Sequence, residues 1–137
     1  MYLASIKQSI RREERTKTIL VVDDSPIVLD VIKKILSLYD YRFFLASSGE
    51  QALALTKKNN INVDLLLTDV IMPGMNGMEL AITLKANQPK VKVIFMSGYT
   101  DDVIAHFGVL APGELFIQKP IIASKLINKI RKMLDEQ

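Results

Sequence analysis

The chain has 137 residues, room for one domain with a substantial core and too few for two. Its 49% hydrophobic and 24% charged content is ordinary for a globular protein, and the absence of cysteine excludes disulfides and thiolate metal centres. The net charge of +3 resides in residues 1–17, which carry five basic and two acidic side chains, while the rest of the chain balances 13 against 13. The basic excess therefore describes a tail or linker. A mixed-sign stretch such as Arg11-Arg12-Glu13-Glu14-Arg15 reads as solvated chain rather than a nucleic-acid-binding arm. No apolar run approaches the ~20 residues needed to span a bilayer. Tyr2, Leu3 and Ile6 are too interrupted to form the apolar core of a signal peptide, so a cytoplasmic location is expected.

The body alternates strand and helix. Thr18–Val22 is an all-apolar run after its first residue, the pattern of a strand buried on both faces. Ser25 suits an N-cap and Pro26 the first helical position, so a helix is expected over Ser25–Tyr39, with Val28, Val31, Ile32, Ile35 and Leu38 inward. A second strand is expected at Arg42–Ala46, then a helix over Gly49–Lys58 with Ala52 and Leu55 inward. Val63–Thr68 reads as a third strand ending at Asp69, followed by a turn with Pro73, Gly74 and Gly77 and a helix through Ala86. Val91–Met96 is the fourth strand, with a short helix expected over Asp101–Phe107. Glu114–Gln118 is the fifth strand, and a closing helix over Ser124–Leu134 turns Leu126, Ile127, Ile130 and Leu134 inward.

Five strands separated by helices predict an α/β doubly wound parallel sheet with helices on both faces. Ligands in such sheets bind outside the carboxyl ends of the strands. Strand one ends in Asp23 and Asp24, strand three in Asp69, strand four in Ser97 and strand five in Lys119. Two adjacent carboxylates repel by roughly 4 kcal/mol at ~4 Å with an effective dielectric of ~20. A hard divalent cation, Mg²⁺ above all, would relieve that repulsion and suits an all-oxygen donor set. Asp69, alone at its strand end, is placed to act as a carboxylate nucleophile toward a phosphoryl group, with Lys119 and Ser97 as partners for its oxygens. His106, the only histidine, is expected to be a surface or packing residue. There is no G-x-G-x-x-G fingerprint and no P-loop, so a dinucleotide- or nucleotide-binding α/β domain is not expected.

Four stretches, "VVDD", "DVIMPGMNG", "MSG" and "FIQKP", together resemble the receiver domains of bacterial two-component response regulators. The likeness covers about residues 18–134, and includes a D-x-x-M-P-x-x-x-G pattern running from Asp69 to Gly77. "MSGYTDD" and the "FGVLAPGELFIQKP" ending look most like receivers attached to hybrid histidine kinases. The resemblance implies a flavodoxin-like fold, with residues 1–17 as tail or linker and 18–137 as receiver. It implies a phosphoacceptor at Asp69, and Mg²⁺ held by Asp24, Asp69 and the backbone carbonyl of Ile71, with Asp23 acting largely through water. It further implies Ser97 and Phe116 as a switch pair, Lys119 as phosphate partner, and a cis Lys119–Pro120 bond.

The function so implied is a phosphorelay switch. A histidine kinase or histidine phosphotransfer protein would phosphorylate it, without any external substrate being turned over. Its output face would join the Asp101–Phe107 helix, the fifth strand and the last helix, including Asp101, Asp102, Lys125 and Lys129, and would meet an output protein or a second copy of the chain. The competing expectation is a pseudo-receiver, a docking module of the same fold that works without phosphate. Direct nucleic-acid binding is not expected. Within the pattern, Ser97 stands where Thr is commoner, Gly98 where Ala is usual, and Phe116 where Tyr is frequent.

Overall fold

The computed structural model describes residues 16–98 and 114–135. The basic tail up to residue 15, the helix expected over Asp101–Phe107 and His106 lie outside the described residues. The elements are β1 (Thr18–Val22), α1 (Pro26–Leu36), β2 (Arg42–Ala46), α2 (Gly49–Lys58), β3 (Leu65–Asp69), α3 (Gly77–Asn87), β4 (Lys92–Ser97), β5 (Glu114–Gln118) and α4 (Ala123–Asp135). Among the described residues no helix is long and apolar enough to cross a membrane.

All five strands are parallel, in the order β2-β1-β3-β4-β5. This is the flavodoxin-like order of a doubly wound sheet, with its switch between β1 and β3. Because strand side chains alternate, each strand feeds two cores. Ile19, Val21, Leu65, Leu67, Ile94, Met96 and Ile117 face α1 and α4, while Leu20, Val22, Leu66, Val93 and Phe95 face α2 and α3. Burial on both faces explains why β1 and β3 read as continuous apolar runs.

α1 begins as its sequence predicts: Ser25 caps it, accepting a hydrogen bond from the Val28 N–H at 3.4 Å, and Pro26 occupies the first turn. It ends sooner than expected. Past Ser37 the bonding tightens to i→i−3, the Leu38 N–H donating to Ile35 at 3.1 Å and the Tyr39 N–H to Leu36 at 3.1 Å, so the α-helix stops at Leu36 rather than reaching Tyr39. Ile32, Ile35 and Leu36 are buried, whereas Leu38, beyond the cap, and Val31, at the edge of the stripe, are exposed. The third strand also starts later, at Leu65, because Val63 and Ile61 are held by Gln88 rather than by a neighbouring strand. α4 agrees with expectation, burying Leu126, Ile127, Ile130 and Leu134, with Met133 added.

Candidate functional site

The strand ladder continues one residue past the strands at the carboxyl edge, and this places the site. The Asp23 N–H donates to the Ala46 carbonyl at 3.2 Å, Val70 N–H to Met96 at 3.1 Å, and Lys119 N–H to Ser97 at 2.9 Å. Asp23, Asp69, Ser97 and Lys119 are thus fixed through main chain on four strand ends. The Lys119–Pro120 peptide is cis, as the resemblance implies.

Asp23, Asp24 and Asp69 each bring a carboxylate oxygen within 4.8 Å of the others. Their surroundings differ. Asp23 is fully buried; its Oδ1 accepts from the Ser25 N–H at 2.9 Å, and its Oδ2 lies 2.8 Å from Lys119 Nζ. That oxygen has no other polar partner among the described residues. Asp69 is nearly buried, with Oδ2 3.3 Å from the same ammonium, whereas Asp24 is exposed. Lys119 therefore spans two carboxylates and sits nearer Asp23 than Asp69, a bias that the sequence does not reveal.

The charges follow from this packing. Burial pushes the Asp69 carboxyl above its ordinary value, the neighbouring Asp23 charge adds to the push, and Lys119 only partly offsets them. For Lys119, burial works against the ammonium, but its contacts with Asp23 and Asp69 outweigh that and hold its value above the usual one. The ammonium stays charged.

Behind Asp69 the backbone is tight. The Thr68 hydroxyl donates to the Asp69 carbonyl at 2.9 Å, and the Gly77 N–H donates to Val70 at 2.8 Å. A Cβ on Gly77 would lie 2.1 Å from the Asp69 carbonyl oxygen, so this last residue of the D-x-x-M-P-x-x-x-G pattern is glycine because no side chain fits. α3 starts there under a capping box between Asn76 and Glu79. Ile71, whose carbonyl the resemblance makes a ligand, lies in the intervening loop with its side chain exposed.

Ser97 is buried at the end of β4, and half-buried Phe116 stands opposite Phe95 on β5, packed on the α2 and α3 side. Ser97 and Phe95 share that face by alternation, so the expected switch pair occupies adjacent strands on one side of the sheet. A Cβ on Gly98 would meet nothing within 4 Å. Of the residues expected on the output face, Lys125 is exposed and Lys129 half-buried, while Asp101 and Asp102 lie outside the described residues.

The model of the response regulator receiver domain family matches residues 19–131. The chain belongs to that family. Among curated relatives, the receiver is 34% identical over 117 residues to a cyclic di-GMP phosphodiesterase of Thermotoga maritima, covering 85% of this chain and 31% of that protein. It is 32% identical over 121 residues to the sensor kinase CckA of Brucella abortus, covering 88% and 13%, and 35% identical over 118 residues to the transcriptional regulatory protein YvrH of Bacillus subtilis, covering 85% and 48%. The chain thus spans less than half the length of these relatives. The receiver domain of the hybrid histidine kinase CckA superposes with a TM-score of 0.71 at 32% identity, covering 85% of this chain and 98% of that one. A receiver domain of Clostridium thermocellum gives 0.73 at 28%, covering 87% and 94%.

Proposed function

We propose that this receiver is a phosphoacceptor switch: Asp69 takes a phosphoryl group from a histidine kinase or histidine phosphotransfer protein, and the modified domain presents an altered face to an output protein or a second copy of itself. The observation that carries the reading is the rim itself, where one ammonium spans Asp23 and Asp69 beside an exposed third carboxylate. In the transfer, an Asp69 carboxylate oxygen forms the new bond to phosphorus as the bond to the donor nitrogen breaks. Lys119 is within reach to neutralise the phosphoryl oxygens, and the Ser97 hydroxyl to donate to them.

The donor set fits a hard cation: it is all oxygen, clustered within 4.8 Å, and open to solvent at Asp24. Asp24, Asp69 and the Ile71 carbonyl would hold Mg²⁺, with Asp23, already engaged by Ser25 and Lys119, acting through water. Bound there, the ion would supply positive charge to the transferring group. Ser97, drawn toward the phosphoryl oxygens, would vacate space for Phe116 to turn inward, and the pair would act as a two-state element.

The test is intact-mass spectrometry after incubation with acetyl phosphate. The protein should gain one phosphoryl group with Mg²⁺ and none with a chelator, and Asp69→Asn should gain none. Undiminished modification of that variant would overturn the assignment. A wild type that stays unmodified would favour a docking module that works without phosphate. Beryllofluoride, a phosphoryl mimic, should shift amide resonances on β5 and α4 as well as around Asp69; shifts confined to the loops at Asp69 would remove the switch.

A further inference from the structure

We infer that Glu50 is a positioning residue for the cation site: reaching from the first turn of α2, it fixes the loop that carries the Ile71 carbonyl. The inference rests on the metal reading above.

The loop between β3 and α3 is pinned firmly at its ends. Val70 binds Met96 and Gly77 through main chain, and Asn76 is locked into the cap of α3. Between them, residues 71–75 receive one hydrogen bond from elsewhere among the described residues. Glu50 Oε1 accepts the Met75 N–H at 2.9 Å. Two glycines let the helix and the loop come this close. Gly74 turns with φ +73°, and a Cβ there would sit 3.2 Å from Glu50 Oε1. Gly49 forms the seat of the Met75 side chain, whose sulfur would lie 2.8 Å from a Cβ on that residue. The main chain and the side chain of Met75 are therefore both held by successive residues of α2. A loop fixed at both ends and at Met75 has little freedom left at Ile71, whose carbonyl must be aimed for it to serve as a ligand.

An acid in the first turn of a helix has a rival role, stabilising the helix dipole. Two variants separate the roles. Glu50→Gln keeps a carbonyl acceptor for the Met75 N–H and gives up the charge; Glu50→Ala gives up both. Mg²⁺ affinity by isothermal titration calorimetry, Met75 amide exchange by NMR and thermal midpoint are measured on all three proteins. Glu50→Ala should weaken Mg²⁺ binding about 3- to 10-fold, below the ~10–100-fold effect of groups bonded directly to a ligand, and should speed Met75 exchange. Glu50→Gln should stay near the wild type in both. Equal losses of affinity in the two variants would mean that charge, not position, is what Glu50 supplies, and would overturn the inference, as would unchanged affinity in Glu50→Ala. If the wild type itself takes no Mg²⁺, the metal reading fails and this inference with it, whereas wild-type binding with an indifferent Glu50→Ala sinks this inference alone.

Discussion

At the amino edge of the sheet, Gln88 uses both ends of its amide: Oε1 accepts from the Val63 N–H at 2.7 Å, and Nε2 donates to the Ile61 carbonyl at 2.9 Å. Nearby, Asp64 accepts from the Thr18 N–H at 2.8 Å, and the Lys92 ammonium donates to the Met133 carbonyl near the end of α4. Asp64 and Lys92 are each spent on a backbone group there, and Lys85 is paired with Glu114 at 2.7 Å. At the carboxyl edge one ammonium is shared by two buried acids, a third acid faces solvent, and Asp69 is held in a state that burial disfavours. One end of the sheet is built to hold the fold together. The other keeps charge in reserve, and the fold tolerates the cost because the ladder around it is rigid.

The comparison can be broken at the rim's backbone. Gly77→Ala must displace the Asp69 carbonyl, which the Thr68 hydroxyl already holds at 2.9 Å, and is expected to cost about 3 kcal/mol or more. Thermal melts should show a midpoint lower by on the order of 10 °C. A neutral result would mean that the loop can slide, and the rigidity credited to this end would be wrong. Next in size is Lys119→Met, which leaves Asp23 Oδ2 buried with no counter-charge. Removing one partner of a fully buried pair costs ~3–5 kcal/mol; with Lys119 partly exposed, roughly 2–3 is expected. Millimolar Mg²⁺ should restore part of it, and urea midpoints measured with and without the ion test both statements.

Gln88→Ala probes the other end. It strands one N–H and one carbonyl and should cost about 2 kcal/mol in denaturant unfolding. It should leave the rate of modification by acetyl phosphate unchanged; a slowed rate would show that the two ends are coupled. The smallest effect has the opposite sign. Since the folded Asp69 carboxyl lies above its ordinary value of 3.8, its ionisation opposes folding. The penalty is absent below that value and appears as pH rises through the folded one. Asp69→Asn should therefore melt a few degrees higher than the wild type at neutral pH, and the gain should vanish as pH falls toward 4. A variant less stable at neutral pH would mean that attraction to Lys119 outweighs burial.

Much of this molecule is legible in its sequence, for local reasons. β1, and β3 apart from its start, are legible because strands covered on both faces are apolar at successive positions, and the meeting of Asp23, Asp69, Ser97 and Lys119 at one rim because a doubly wound sheet gathers its strand ends. The misses were also local. Leu38 fits a helical stripe, but the last turn tightens to i→i−3 bonds before it, and such a change of hydrogen bonding leaves no mark in a hydrophobic pattern. Lys119 was expected to face Asp69; its closer approach to Asp23 depends on burial, which spacing does not encode. Glu50 stayed hidden because an exposed acid at a helix start has an ordinary explanation, and only the approach of Met75 and Gly74 gives it another.

The pairing of Asp23 with Lys119 also has a meaning in time. A chain made from its amino end presents Asp23 with the first strand, long before Lys119 follows the fifth. Until then, burying β1 between its neighbours would entomb a carboxylate whose counter-charge has yet to be synthesised, and a partial sheet is correspondingly disfavoured. The ion pair thus rewards completion: β1 can be sealed at low cost only after the last strand has arrived.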